Sequence, residues 1–175
     1  MRMEASRMVM RLGLAARWVI HVLLVRRRPR SSRYIGIAGR WSGRGSVLTV
    51  LAGASFIGFI PVRDMAGARS FYEGILGLRV VEETSFALVI DANGTMLRLT
   101  GVPELAPQPF TIAGWQVPDI TAAVRHLGEN GVRFIRYDRM EQDELAIWTT
   151  PGGDRVAWFR DPDGNTLSLT TFASP

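Results

Sequence analysis

Two stretches of this chain carry the same local plan 55 residues apart, and a unit of that size buries too little surface to stand alone. Phe59-Ile60-Pro61-Val62-Arg63-Asp64 ends an apolar run at an aspartate, and Trp115-Gln116-Val117-Pro118-Asp119 does so again. An aspartate in that place caps a helix, because its carboxylate accepts a first-turn N–H that has no partner inside the helix. After Asp64, the residues Met65, Ala68, Tyr72, Ile75 and Leu76 share one helical face and Gly77 is placed to stop the helix. After Asp119, Ile120, Ala123, Val124 and Leu127 repeat the spacing and Gly131 closes it. Strand texture follows each helix: 79–81, 86–90 and 95–100 in the first copy, then 132–136, 145–149, 155–160 and 166–172 in the second. Asn93-Gly94 is a strong hairpin turn, and Pro151-Gly152-Gly153 and Asp161-Pro162-Asp163-Gly164-Asn165 supply others. The fold class expected is α+β, two tandem β-α-β-β-β modules at about 55–105 and 108–173 within a domain of 51–175. Their sheets should pack or join into a concave cup with helices outside.

Charge splits along the chain. Residues 1–46 hold 11 of the 21 basic residues and one acid, a net of +10, whereas 47–175 hold 10 basic and 15 acidic, a net of −5. Every basic residue is arginine, a bias that suggests GC-rich coding, and the remainder lacks a basic patch interleaved with stacking aromatics, so no nucleic-acid partner is expected. Residues 12–25 form a mostly apolar run of 14 that holds one charge, Arg17, short of the roughly 20 apolar residues needed to cross a bilayer. The run leads into Arg26-Arg27-Arg28 where a secretory leader would show a small-residue cleavage site. Residues 1–50 are therefore read as a basic, poorly structured extension. The alternative is a membrane-surface anchor, for which Trp18 and His21 spoil a clean polar face. The expected location is the cytoplasm, without a membrane partner. The absence of cysteine excludes disulfides and cysteine nucleophiles, and neither a Gly-x-x-x-x-Gly-Lys loop nor a Gly-x-Ser-x-Gly elbow occurs.

Val62-Arg63-Asp64-Met65, Ser70-Phe71-Tyr72 and Leu76-Gly77-Leu78, followed by Phe159-Arg160-Asp161-Pro162-Asp163-Gly164-Asn165, resemble the vicinal oxygen chelate superfamily. That superfamily includes glyoxalase I, extradiol dioxygenases, fosfomycin-resistance enzymes and bleomycin-binding resistance proteins. The resemblance spans 55–173 and implies the fold; one fold hosts several chemistries, so it does not by itself imply an activity. Read alone, the Asp161–Asn165 turn is a hairpin whose carboxylates satisfy turn amides.

The resemblance also implies a divalent metal held by inward-facing His, Gln or Glu residues on the first and last strand of each module. Carried over by motif spacing, the first-strand places fall seven residues before each aspartate, at Ile57 and Ile112, and the last-strand places at Arg98 and Ser168. Isoleucine offers no lone pair, arginine repels a cation, and a lone serine hydroxyl is weak. His126 lies off the apolar face of its helix and reads as solvated; His21 lies in the extension. No metal or cofactor is therefore expected, as in the bleomycin-binding branch. Strand alternation puts Ile57, Phe59, Met96, Arg98, Thr100, Ile112, Gln116, Thr166, Ser168 and Thr170 on the concave side. Such a cup suits a small, partly aromatic anion gripped by Arg98 in a bidentate fork. The alternative partner for Arg98 is an internal acid, Asp91 or Glu82.

Met140-Glu141-Gln142-Asp143-Glu144 is a polar loop ahead of Leu145-Ala146-Ile147-Trp148, placed to close over the cup with Met140 or Trp148 touching a ligand. Trp115 and Trp158 are expected on the helix-facing side. The ligand-binding set is thus Arg98, Ile57, Phe59, Ile112, Gln116, Ser168, Met140 and Trp148, with no catalytic residue assigned. The leading expectation is a metal-independent small-molecule-binding protein, a homodimer by resemblance. The competing one is an enzyme of the glyoxalase, lyase, isomerase or dioxygenase kind. Its metal ligands would come from the 141–144 loop, or it would use no metal and let Arg98 stabilise an enolate.

Overall fold

Asp64 and Asp119 each cap a helix in the computed structural model, which describes Leu51 and residues 53–174. The expected extension at 1–50 lies outside the described residues. The Asp64 carboxylate accepts the N–H of Ala66 at 3.0 Å, and that of Asp119 accepts the N–H of Ala122 at 3.1 Å. Helix α1 (Met65–Arg69) runs on into a wider π-type turn, Ser70–Ile75, where the Leu76 N–H reaches back to the Phe71 carbonyl at 2.9 Å. In a regular helix, sequence neighbours point about 100° apart. Widening the turn lets Phe71 and Tyr72 both enter the core, although the periodic face included only Tyr72. Helix α2 (Ile120–Glu129) buries Ile120, Val124 and Leu127. Gly77 and Gly131, both at positive φ, end the two helical segments where the sequence places the stops.

Strands β1 (Ile57–Val62), β2 (Arg79–Glu83), β3 (Ala87–Ala92) and β4 (Thr95–Gly101) form a sheet in the order β1-β4-β3-β2. Strands β5 (Thr111–Gln116), β6 (Trp148–Thr149), β7 (Arg155–Arg160) and β8 (Thr166–Thr171) form a second in the order β5-β8-β7-β6. In each sheet the first strand lies parallel to the last, and the other pairs are antiparallel. Alternation then divides each sheet into a helix-side and a concave face. Ile60, Val62, Leu88, Ile90, Leu97 and Leu99 of the first sheet share one core with Ala157, Phe159, Leu167 and Leu169 of the second and with the buried faces of both helices. The Phe71 ring lies 6.4 Å from that of Phe159, so the first helical segment touches the second module's sheet directly.

The Asp161–Asn165 turn fastens the modules together. Asp161, 5% exposed, accepts the backbone N–H groups of Asp163 and Asn165 at 3.0 and 2.8 Å, as a turn carboxylate should. Its other oxygen accepts the Tyr72 hydroxyl at 2.9 Å and the Asn165 side-chain amide at 2.8 Å. The same amide donates to the Pro61 carbonyl at the end of β1, and Asp163 accepts both the backbone N–H and the Nε of Arg63, each at 2.9 Å. Burial, and then the neighbouring Asp161 carboxylate, push the Tyr72 phenol well above its ordinary pKa, so Tyr72 stays a donor.

One strand departs from expectation. Residues 132–136 are not a strand: they touch the sheet by a single bridge, Phe134 to Phe159, and by the Ile135 N–H on the Trp158 carbonyl at 2.7 Å. Its continuation, expected over 145–149, is reduced to β6, so the outer strand is split by the intervening loop. The side-chain amide of Gln142 takes the place of ladder partners. It accepts from the Tyr137 N–H at 2.7 Å and donates to the carbonyls of Ile135 and Ala146 at 2.9 and 2.7 Å.

Candidate functional site

The concave face of the first sheet is apolar around one cation, open along β1 and at Met96 and closed at Val89 and Ala87 of β3. Register sets Ile57 beside Met96 and Phe59 beside Arg98, with Val89 on the other flank of Arg98. Ile57, Phe59 and Met96 are 41%, 61% and 43% exposed, and Arg98 is half-buried between them. Arg98 Nε is buried and has no hydrogen-bond partner among the described residues. The internal acids do not serve it. Asp91 is bound by Arg79 at 2.7 Å and by the Gly94 N–H at 2.7 Å, and these bonds, Arg79's first, hold its carboxyl below the ordinary carboxylate range. Glu82 pairs in register with Val89, one strand beyond, and makes no ion pair with Arg98.

The matching face of the second sheet is sealed. Trp148, Val156 and Trp158 form a cluster of their own, separate from the shared core, against which Ile135, Tyr137 and Met140 pack. Trp158 therefore lies on the concave side, not the helix side: it pairs with Ser168, and register, not the run of apolar neighbours, decides its face. Tyr137 meets Trp158 edge-on at 5.5 Å, and its burial pushes the phenol pKa up against the lowering influence of Arg160. Thr166, Ser168 and Thr170 are buried at 2%, 7% and 9% exposure. Met140 and Trp148 thus come over the concave face as the sequence suggests, but as packed side chains over their own sheet.

A bulge in β5 between Thr111 and Ala113 moves one expected floor residue. Ile112 is carried to the helix side and packs on the shared core, so its concave place falls to Thr111, which pairs with Thr166 and whose buried hydroxyl has no partner among the described residues. Ser168 sits over Gly114, where an added Cβ would lie 2.4 Å from the hydroxyl oxygen. Gln116 pairs with Thr170 at the strand end and is exposed; Trp115 packs on the shared core as expected. The candidate residues therefore fall into two groups: Ile57, Phe59 and Arg98 on the first sheet, and Ser168, Gln116, Met140 and Trp148 on the second. Single-sequence spacing carries no sign of the β5 bulge, which is why Thr111 goes unnoticed there.

A divalent metal does not fit these residues. Of the four places the resemblance points to, two are isoleucines, one of them turned into the core, one is the cation Arg98 and one is a serine against glycine. Among the described residues, no three His, Asp or Glu side chains converge into a possible metal site. In the 141–144 loop, Asp143 is occupied by the N–H groups of Leu145 and Ile147, both at 2.9 Å, and by Arg155 at 3.6 Å. Among the described residues no helix is long and apolar enough to cross a membrane.

Comparison with known proteins agrees with this architecture. The family model described as "Glyoxalase/Bleomycin resistance protein/Dioxygenase superfamily" matches residues 52–169. A glyoxalase/dioxygenase from Nostoc punctiforme is similar at 22% identity and a TM-score of 0.54, over 76% of this chain and 100% of that one. A glyoxalase/bleomycin resistance protein/dioxygenase from Alicyclobacillus acidocaldarius is similar at 18% identity and 0.54, over 70% and 93%. The lactoylglutathione lyase from Agrobacterium tumefaciens is similar at 15% and 0.54, over 68% and 93%. At these identities the likeness is one of fold. No curated protein matches the chain.

Proposed function

The chain belongs to the Glyoxalase/Bleomycin resistance protein/Dioxygenase superfamily, and from that premise we propose that it binds a small, partly aromatic organic anion without a metal ion, on the open face of its first module, and does so as a homodimer. The observation that carries the reading is Arg98. A guanidinium whose Nε is buried without a partner, flanked by exposed Phe59, Ile57 and Met96, is a donor fork awaiting an acceptor in a partly desolvated place. A carboxylate or enolate would take the fork while its ring covers the apolar residues. The homodimer is supported by the sheet edge: among the described strands β1 ends its sheet order, and its outer edge offers backbone groups for a second copy to pair with.

The test is a thermal-shift and calorimetric screen of aromatic carboxylates on the full chain, wild type against Arg98→Met, with metal content by elemental analysis and mass by light scattering. We expect no retained metal, a dimer mass, and anion binding that Arg98→Met abolishes while stability stays within about 1 kcal/mol. Near-stoichiometric metal that resists dialysis would overturn the metal-free reading. Marked unfolding of Arg98→Met would instead mean that an internal acid is left buried and alone.

A further inference from the structure

We propose a second binding site, on the helix side and separate from the Arg98 face, that takes a small neutral aromatic molecule bearing one hydroxyl or carbonyl. A cavity of about 250 Å³ opens there between the modules. Leu76 and Leu78 wall it from the first module, Ala123 from α2 and Trp115 from β5. Phe159 lies behind that wall and is 0% exposed, so the cavity backs onto the shared core.

The cavity follows from a short side chain on an otherwise filled face. α2 turns Ile120, Val124 and Leu127 into the core, whereas Ala123, on the same side, leaves the space unfilled. Water in such a space meets mostly apolar wall and few hydrogen-bonding groups, so an apolar ring displaces it with little loss. Size and charge then set the ligand class. The volume is below the roughly 300–1,000 Å³ of drug-sized sites and suits one ring with a short substituent. Among the described residues that line the cavity there is no Asp, Glu or Arg, and an ionised ligand would lose its hydration without a counter-charge. A neutral ring gains the aromatic edge or face of Trp115, and its polar atom can meet the imidazole of His126, the exposed helix residue at the mouth. The Arg98 face wants an anion; this site refuses one.

The test titrates 4-fluorophenol into the full chain and follows its fluorine resonance, with wild type, Ala123→Leu, His126→Leu and Arg98→Met. Ala123→Leu fills the cavity and should weaken binding at least about tenfold without lowering the thermal midpoint. His126→Leu should weaken binding about three- to tenfold, the worth of one hydrogen bond. Arg98→Met should leave it unchanged. Wild-type-like binding by Ala123→Leu, loss of binding in Arg98→Met, or no binding to wild type overturns the proposal. Should Ala123→Leu fail to fold, His126→Leu carries the test from its exposed position: weakened binding supports the site and unchanged binding overturns it. Because the Arg98 variant is read in the same series with a different class of probe, failure here is distinguishable from failure of the anion site.

Discussion

In the first module the outer strand β2 absorbs one extra residue as a bulge between Val80 and Glu82; in the second, the matching strand is broken between Phe134 and Trp148 by a loop that folds back over its own sheet. The two modules otherwise repeat strand order and helix caps. That one difference decides what each concave face becomes. Without the loop, Ile57, Phe59 and Met96 stay exposed around Arg98; with it, Trp148, Val156 and Trp158 are sealed beneath Tyr137 and Met140. A duplicated fold can thus give one half to binding and the other to stability, because burying an aromatic cluster stabilises the very face that would otherwise remain free for a ligand.

Sealed and open faces can belong to one body only while the two modules stay joined, and the largest expected effect lies at that joint. Asp161 accepts four hydrogen bonds in a buried place, three from its own turn (the backbone N–H groups of Asp163 and Asn165 and the Asn165 side-chain amide) and one from Tyr72 across the module boundary. Asp161→Ala leaves those donors without an acceptor and should destabilise by roughly 3–5 kcal/mol, read from urea unfolding. A loss under about 1 kcal/mol would mean that the turn does not hold the modules together.

The next effect compares like positions on the two faces. Trp158→Ala empties the sealed cluster and should cost roughly 3–5 kcal/mol, while Phe59→Ala, on the open face, should change monomer stability by no more than about 0.5 kcal/mol. Equal losses in a dilute, dissociated sample would erase the distinction between sealed and open. A smaller effect lies inside the sealing loop. Ala146 is held at φ 60°, where a Cβ is strained, by the Asp143 carbonyl on its N–H and by Gln142 on its own carbonyl. Ala146→Gly should therefore stabilise by roughly 0.5–1 kcal/mol, seen as a raised thermal midpoint, if the loop is as fixed as the seal requires. A drop would show that the loop gives way at that residue.

Local chemistry made most of the fold legible. The two aspartate caps, the glycine stops, the Asn93-Gly94 turn and the 155–160 strand each follow from a few neighbouring residues and appear where those residues stand. What escaped is non-local. The β5 bulge that turns Ile112 away, the register that puts Trp158 on the concave face, and the Gln142 amide that replaces strand pairing all depend on partners far along the chain. Likewise the Asp161–Asn165 turn reads locally as a hairpin, and only its contacts with Pro61, Arg63 and Tyr72 reveal the joint between modules. The candidate site was legible in part for the same reason. Alternation alone finds Ile57, Phe59 and Arg98 on one face, but only the pairing of Asp91 with Arg79 removes the internal acid from Arg98.

The smallest expected effect returns to the hairpin turns, where the modules again use one residue type differently. Asp161 at the β7–β8 turn is buried in the joint, whereas Asp91 at the β3–β4 turn keeps 32% of its side chain exposed and, among the described residues, its carboxylate bonds Arg79 and the Gly94 N–H. Those bonds favour the ionised carboxylate and lower its pKa in the folded chain, Arg79 contributing most. A carboxyl so lowered adds stability that is complete above its ordinary value and disappears as pH falls through the folded value, because the unfolded chain then binds the proton first. Asp91→Asn should therefore be slightly less stable than wild type at neutral pH, with the gap closing as unfolding is repeated at successively more acid pH. Solvent screening at this exposed pair keeps the gap well below that of Asp161→Ala. A gap of equal size, or one that acid does not close, would make Asp91 a second buried-type fastening and remove the asymmetry between the two turns.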